Sequence, residues 1–131
     1  MFALLFNART LVILWIVGFV GAGLAMSVLQ ETTAAQSCWG ANVGWQTEVA
    51  IWNLGAILIL AGVLRSKKQI EPYILPGLFV LSLAFSVNHL VAILRHDGVY
   101  MTNLAAAVVN GGGVLLLLSY FFLGKRAKTF S

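Results

Sequence analysis

Long apolar runs alternate with short polar breaks along this chain. Four runs stand out, at residues 11–29, 46–64, 73–94 and 103–123. Each is about 20 residues long, the length needed to cross a hydrocarbon layer roughly 30 Å thick. Backbone amides in lipid must be bonded within their own segment, so the runs predict helices and not isolated strands. The links at 65–72 and 95–102 are short, which makes sequence neighbours run in opposite directions. The expected fold is therefore all-α: one domain over residues 1–131, an antiparallel bundle of four transmembrane helices. The first run could instead be a cleaved signal peptide. However, no charge precedes Arg9, and the run exceeds the roughly 7–15 apolar residues of such a segment, so a permanent helix is expected.

Composition agrees with the pattern. The chain is 60% hydrophobic and 9% charged, whereas about a quarter of the residues in a soluble domain carry charge. Of its eight Lys and Arg residues, Arg9, Arg65, Lys67, Lys68, Lys125, Arg126 and Lys128 fall on one side of the expected bundle. Arg95 alone falls on the other. The positive-inside rule then puts both termini in the cytoplasm and the segments 30–45 and 95–102 outside. On this reading the net charge of +4 anchors the chain against lipid head groups. The expected partners are the bilayer and other membrane subunits or further copies of the chain, not nucleic acid. Cys38 is the only cysteine, which excludes an internal disulfide.

The breaks carry helix-end signals. Thr10 and Thr102 are placed to cap the first and fourth helices, and Gly124 to end the fourth. Pro72 falls in the first turn of the third helix, where its missing N–H does no harm, and Pro76 should at most bend that helix. Trp39, Trp45 and Tyr100 mark one interface; Trp15, Tyr73 and Tyr120 mark the other. Small residues suggest packing faces: Gly18, Gly21, Ala22, Gly23 and Ala25 in the first helix, Gly55 and Gly62 in the second, and the run Gly111–Gly113 in the fourth. A neighbouring helix should press on the triple glycine; the alternative is a flat ligand.

Intramembrane polar residues gather in the outer half. At 1.5 Å per residue, Glu48 lies about 3 Å below the outer boundary, Asn53 about 10 Å, Asn88 and His89 roughly 8 to 9 Å, and Asn110 about 11 Å. Ser82, Ser86, His89 and His96 share a face of the third helix, and Trp45, Glu48, Trp52 and Gly55 share one of the second. If these faces meet, Glu48, His89 and Asn110 converge in a pocket open to the outer leaflet. Trp52, Asn53, Ser86 and Asn88 would complete its lining. Ionisable residues inside membranes usually face an interior or a pathway, and a carboxylate beside an imidazole could share a proton. The plainer alternative makes Glu48 a helix-end charge favoured by the macrodipole, with the histidine and asparagines as hydrogen bonds between helices.

More specific chemistry finds little support. His89 and His96 lie roughly 10 Å apart along one helix and cannot flank a single haem iron. Cys38, Met26, Met101, His89 and His96 lack the tight spacing of a soft-metal site. No phosphate-binding glycine loop, nucleophile triad or dinucleotide fingerprint is present, so no metal or cofactor is assigned.

The stretch "WQTEVAIWNLG" at 45–55, with "NHL" at 88–90 and an asparagine in the fourth helix, resembles a family of small bacterial four-helix membrane proteins. That family is similar in outline to the DoxX-like proteins. Trp45, Gln46, Glu48, Val49, Asn53 and Leu54 carry the resemblance; Ala50 stands where the family pattern has glycine. It spans the second to fourth helices and implies the bacterial inner membrane, but little about activity; some DoxX-like members are small subunits beside a redox partner. Two functional readings follow. The first is a non-catalytic accessory or assembly subunit of a larger membrane complex. The second is a quinone- or lipid-binding protein, or minimal enzyme, that uses the outer pocket. The first is favoured because no set of residues makes a self-sufficient catalytic constellation.

Overall fold

The computed structural model describes residues 7–97 and 100–127, with side chains described as far as residue 123. Every regular element among them is a helix: α1 Ala8–Ser27, α2 Gln30–Ala35, α3 Val43–Arg65, α4 Glu71–Arg95 and α5 Met101–Ala127. Four of these, α1, α3, α4 and α5, are long and apolar enough to cross a membrane. Most of their large apolar side chains face outward. Water would penalise that surface, whereas hydrocarbon accepts it. The chain is a small integral membrane protein.

The helix ends depart from expectation in ways that capping chemistry explains. Asn7, not Thr10, caps α1; its side chain accepts from the Arg9 N–H at 2.9 Å. Asn42 caps α3 by accepting from the Trp45 N–H at 3.0 Å, so α3 begins at Val43 and not at Gln46. An asparagine in extended backbone can bond the orphan N–H groups of a first turn, and both caps use that geometry. Thr102 lies inside α5 and its hydroxyl bonds elsewhere. Gly124 does not stop α5, which continues to Ala127. Pro72 does fall in the first turn of α4. Lys128 lies outside the described residues, as do the side chains of Lys125 and Arg126.

Helix α1 is the hub. It packs closely on α3, α4 packs closely on α5, and α1 joins the two pairs through further contacts with α4 and α5. At one end of the molecule the join is apolar. Leu11, Val12, Leu60, Leu75, Leu78 and Leu117 form a buried cluster, flanked by Ile16, Phe19, Leu64 and Phe79. Arg9 clasps the same end: its Nη2 donates to the Leu64 carbonyl at 2.8 Å, and its Nη1 lies 3.4 Å from the buried Glu71 carboxylate. One guanidinium thus ties the start of α1 to the end of α3 and the start of α4, and satisfies an orphan carbonyl in the last turn of α3.

The triple glycine is pressed by a neighbouring helix, at two of its three members. A Cβ on Gly113 would lie 2.8 Å and 2.9 Å from Cζ2 and Cη2 of Trp15, and one on Gly111 would lie 3.3 Å from Ser86 Oγ. Trp15 is therefore not an interfacial anchor: it is half-buried and lies against the core, because α5 has no side chain in its way. The other glycine faces behave differently. At Gly18, Gly21, Gly55 and Gly62 an added Cβ meets nothing within 4 Å, and in α1 only Gly23 has a neighbour, the Asn53 Cβ at 3.6 Å. Gly113→Ala should therefore lower stability in detergent by about 1–3 kcal/mol, the range for overpacking. Gly62→Ala should change it by less than about 0.5 kcal/mol, as for an open surface site. Thermal unfolding of the two variants side by side checks this, and equal effects would contradict the packing described here.

Candidate functional site

The polar end of the molecule is built around α2 and the turn after it, within the segment 30–45 that the apolar runs leave as a link. Chain direction there depends on Gly40, whose φ of +69° is the only positive value among the described residues. Glycine adopts that left-handed conformation without steric cost. The reversal lets Trp39 pack edge-on against Trp45, with ring centroids 5.9 Å apart, while the other side of the indole meets His89 at 4.9 Å. The start of α3 and the end of α4 are thereby joined through one side chain.

Hydrogen bonds complete the closure. The Thr33 hydroxyl donates to the Ala25 carbonyl of α1 at 3.0 Å. Gln46, 3% exposed, donates to the Gln30 carbonyl at 3.0 Å. Thr102 reaches across from α5 twice: its hydroxyl donates to the Thr33 carbonyl at 3.1 Å and its N–H to the Gln36 carbonyl at 3.0 Å.

Asn103, fully buried, is the centre of this end. Its Oδ1 accepts from the Cys38 N–H at 2.9 Å, and its Nδ2 lies 3.3 Å from His89 Nδ1. A backbone N–H can only donate, so it fixes which amide atom is oxygen. The amide NH2 must then face His89, and His89 Nδ1 must accept. The imidazole therefore carries its proton on Nε2. A single amide orients the histidine and holds the α2 turn to α4 and α5.

The residues singled out from sequence are distributed differently from expectation. Glu48 is exposed and makes no hydrogen bond or ion pair among the described residues. Because α3 starts at Val43, Glu48 sits in its second turn, beyond the strong reach of the macrodipole. Trp52 is 80% exposed and Asn88 is exposed. Asn53 is buried against α1 and donates within its own helix to the Val49 carbonyl at 3.0 Å. Asn110 likewise donates to the Ala106 carbonyl at 2.8 Å. Ser86 bonds across to the Ala107 carbonyl of α5 at 3.1 Å. Glu48, His89 and Asn110 therefore do not form a hydrogen-bonded group; the polar partner of His89 is Asn103. Helix α3 packs mainly on α1 and meets the α4–α5 pair only slightly, so Glu48 and Trp52 face outward.

A shallow cleft does open beside His89, with Met26, Ser37, Trp39, Trp45 and Thr102 in its walls. Its cavity volume is ≈ 10 Å³, room for about one water, where a small-molecule site takes several hundred Å³. No group of three His, Cys, Asp or Glu side chains is placed to hold a metal among the described residues. No buried side-chain nitrogen or oxygen among them lacks a partner. Chemically, the arrangement positions His89 and closes the ends of the helices around it.

The residues that matter most here, Asn103, Thr33, Thr102 and Trp39, were not among the sequence candidates. Their signal was available only in outline, as amide and hydroxyl residues clustered at helix ends. The chain matches no protein-family model, and no curated protein or solved structure is significantly similar to it. Replacing Asn103 with leucine removes two hydrogen bonds and strands the Cys38 N–H and the His89 ring. Stability should fall by about 2–3 kcal/mol, while Glu48→Gln should leave it within about 0.5 kcal/mol. Unfolding midpoints in one detergent decide this; a larger loss for Glu48→Gln would mean that the carboxylate has a structural partner after all.

Proposed function

We propose that the protein is a non-catalytic accessory or assembly subunit of a larger membrane complex. One observation carries this reading: the polar end is closed on itself, with its buried groups satisfied and only about one water's room beside His89. A site that handles a small amphipathic molecule needs vacant volume and unspent polar atoms. A subunit needs a rigid body with free sides, which the outward apolar faces of four long helices supply. On this reading the helices run up, down, up and down, and both termini lie in the cytoplasm of a bacterial cell. The setting is the inner membrane, as the likeness of "WQTEVAIWNLG" to small DoxX-like proteins suggests. Supporting the orientation is the distribution of Arg9, Arg65, Lys67 and Lys68 at the end opposite Trp39 and His89.

Purification from native membranes in mild detergent tests the function directly. A different membrane protein should be retained in stoichiometric amount. A protein recovered without such a partner, but with a bound quinone or lipid, would overturn the reading and favour a binding function at the His89 cleft. Orientation is checked separately. A thiol reagent that cannot cross membranes should modify Cys38 in intact cells, and a single cysteine placed at Lys67 should stay unmodified. The reverse pattern would invert the topology.

A further inference from the structure

We infer that the chain pairs with a second copy of itself through two polar stripes that its own fold leaves unpartnered, Glu48 and Trp52 on α3 and Asn88 and Arg95 on α4. The inference is independent of what larger complex the protein serves. All four residues are exposed, and none makes a side-chain hydrogen bond or ion pair among the described residues; the ion pair there joins Arg9 to Glu71. Glu48 and Asn88 lie within helices long and apolar enough to cross a membrane, where polar groups pair with one another or face an interior, and Arg95 ends the α4 stripe at the boundary.

The stripes are complementary in charge and in depth. Both lie at the same end of the molecule, because Trp39 touches Trp45 of α3 and His89 of α4. Glu48 is five residues into α3, about 8 Å from its start, and Trp52 about 14 Å. Arg95 is the last residue of α4. Its long side chain can reach back along the helix, and Asn88 lies about 10 Å below it. A carboxylate and an indole N–H on one stripe thus face a guanidinium and an amide oxygen on the other, with offsets of about 8 Å and about 4 Å along the helices that the long Arg95 and Trp52 side chains span. Within one chain the pairs do not form, since α3 is packed on α1 and α4 on α5 and α1. Between two chains, the α3 stripe of one copy can lie on the α4 stripe of the other, and the pairs then form. Gly55 and Gly62 flank the α3 stripe with open space above them, which lets the second backbone come close.

The test is co-purification of two differently tagged copies expressed together and extracted in mild detergent. Wild-type copies should be recovered together. Glu48→Gln should reduce that recovery about fivefold, in line with interhelical polar bonds of roughly 1 kcal/mol in lipid. Glu48→Arg and Arg95→Glu should each reduce it further, and the doubly exchanged chain should recover most of the wild-type pairing. Unfolding midpoints close to wild type for Glu48→Gln separate lost pairing from lost folding. No co-purification of wild-type copies would overturn the inference. So would pairing indifferent to Glu48→Gln and to both reversals, or a double exchange that fails to restore it while Glu48→Gln folds normally.

Discussion

A polar atom inside a bilayer has no water to fall back on, and this structure is arranged around that constraint. Backbone groups in the polar end are answered by named side chains and amides: the Cys38 N–H by Asn103, the Thr33 and Gln36 carbonyls by Thr102, the Gln30 carbonyl by Gln46. These bonds hold the short helix α2 against the ends of the long helices, since a buried polar group left without its bond costs several kcal/mol. Asn103 is the indispensable member because it satisfies a donor and presents one in the same plane. That double role also decides the tautomer of His89. The apolar end obeys the same constraint in the opposite way, by having almost nothing polar to satisfy beyond the Glu71 carboxylate and the Leu64 carbonyl, both of which Arg9 reaches.

Between the two ends, packing does what a hydrophobic force cannot. Lipid tails are as apolar as leucine, so helices stay together through close contact and dispersion. The Trp15–Gly113 contact is the clearest instance. A large flat ring on the hub helix occupies the space where α5 lacks a side chain, and it links the α1–α3 pair to the α4–α5 pair. Gly18 and Gly21, which meet no neighbour, show that a small residue alone does not bring two helices of one chain together; it needs a large partner opposite.

Much of the architecture was legible in the residues themselves. Four apolar runs of membrane length, with Pro72 at a helix start and polar groups confined to one end, were enough to place all four long helices within about four residues at each end. The caps were misread because Asn7 and Asn42 lie just outside the apolar runs, where hydropathy is silent and only the local backbone decides. The site was less legible, for a geometric reason. Shared faces along a helix say which residues point together, but not which helix they meet. Placing Glu48 with His89 assumed that α3 meets α4 in a common centre. The centre is taken by α1, whose Gly23 admits Asn53, and so the glutamate is turned outward. Asn103 was no candidate because a residue at a helix rim, next to the expected cap Thr102, gives no sign of a bond to an N–H 65 residues away.

The reach of Asn103 also sets an order of assembly. Its partner lies 65 residues earlier in the chain, and Thr102 reaches back 69 residues to Thr33. A ribosome delivers α1, α2 and α3 first, so the close α1–α3 pair can form while α4 and α5 are still being made. The α2 turn, however, cannot be satisfied until α5 enters the membrane. Until then the Cys38 N–H and the Thr33 carbonyl must stay near water or borrow another partner. Of the five helices described, the one made latest thus seals the end begun by the first, and the growing chain carries an open rim until α5 is in place.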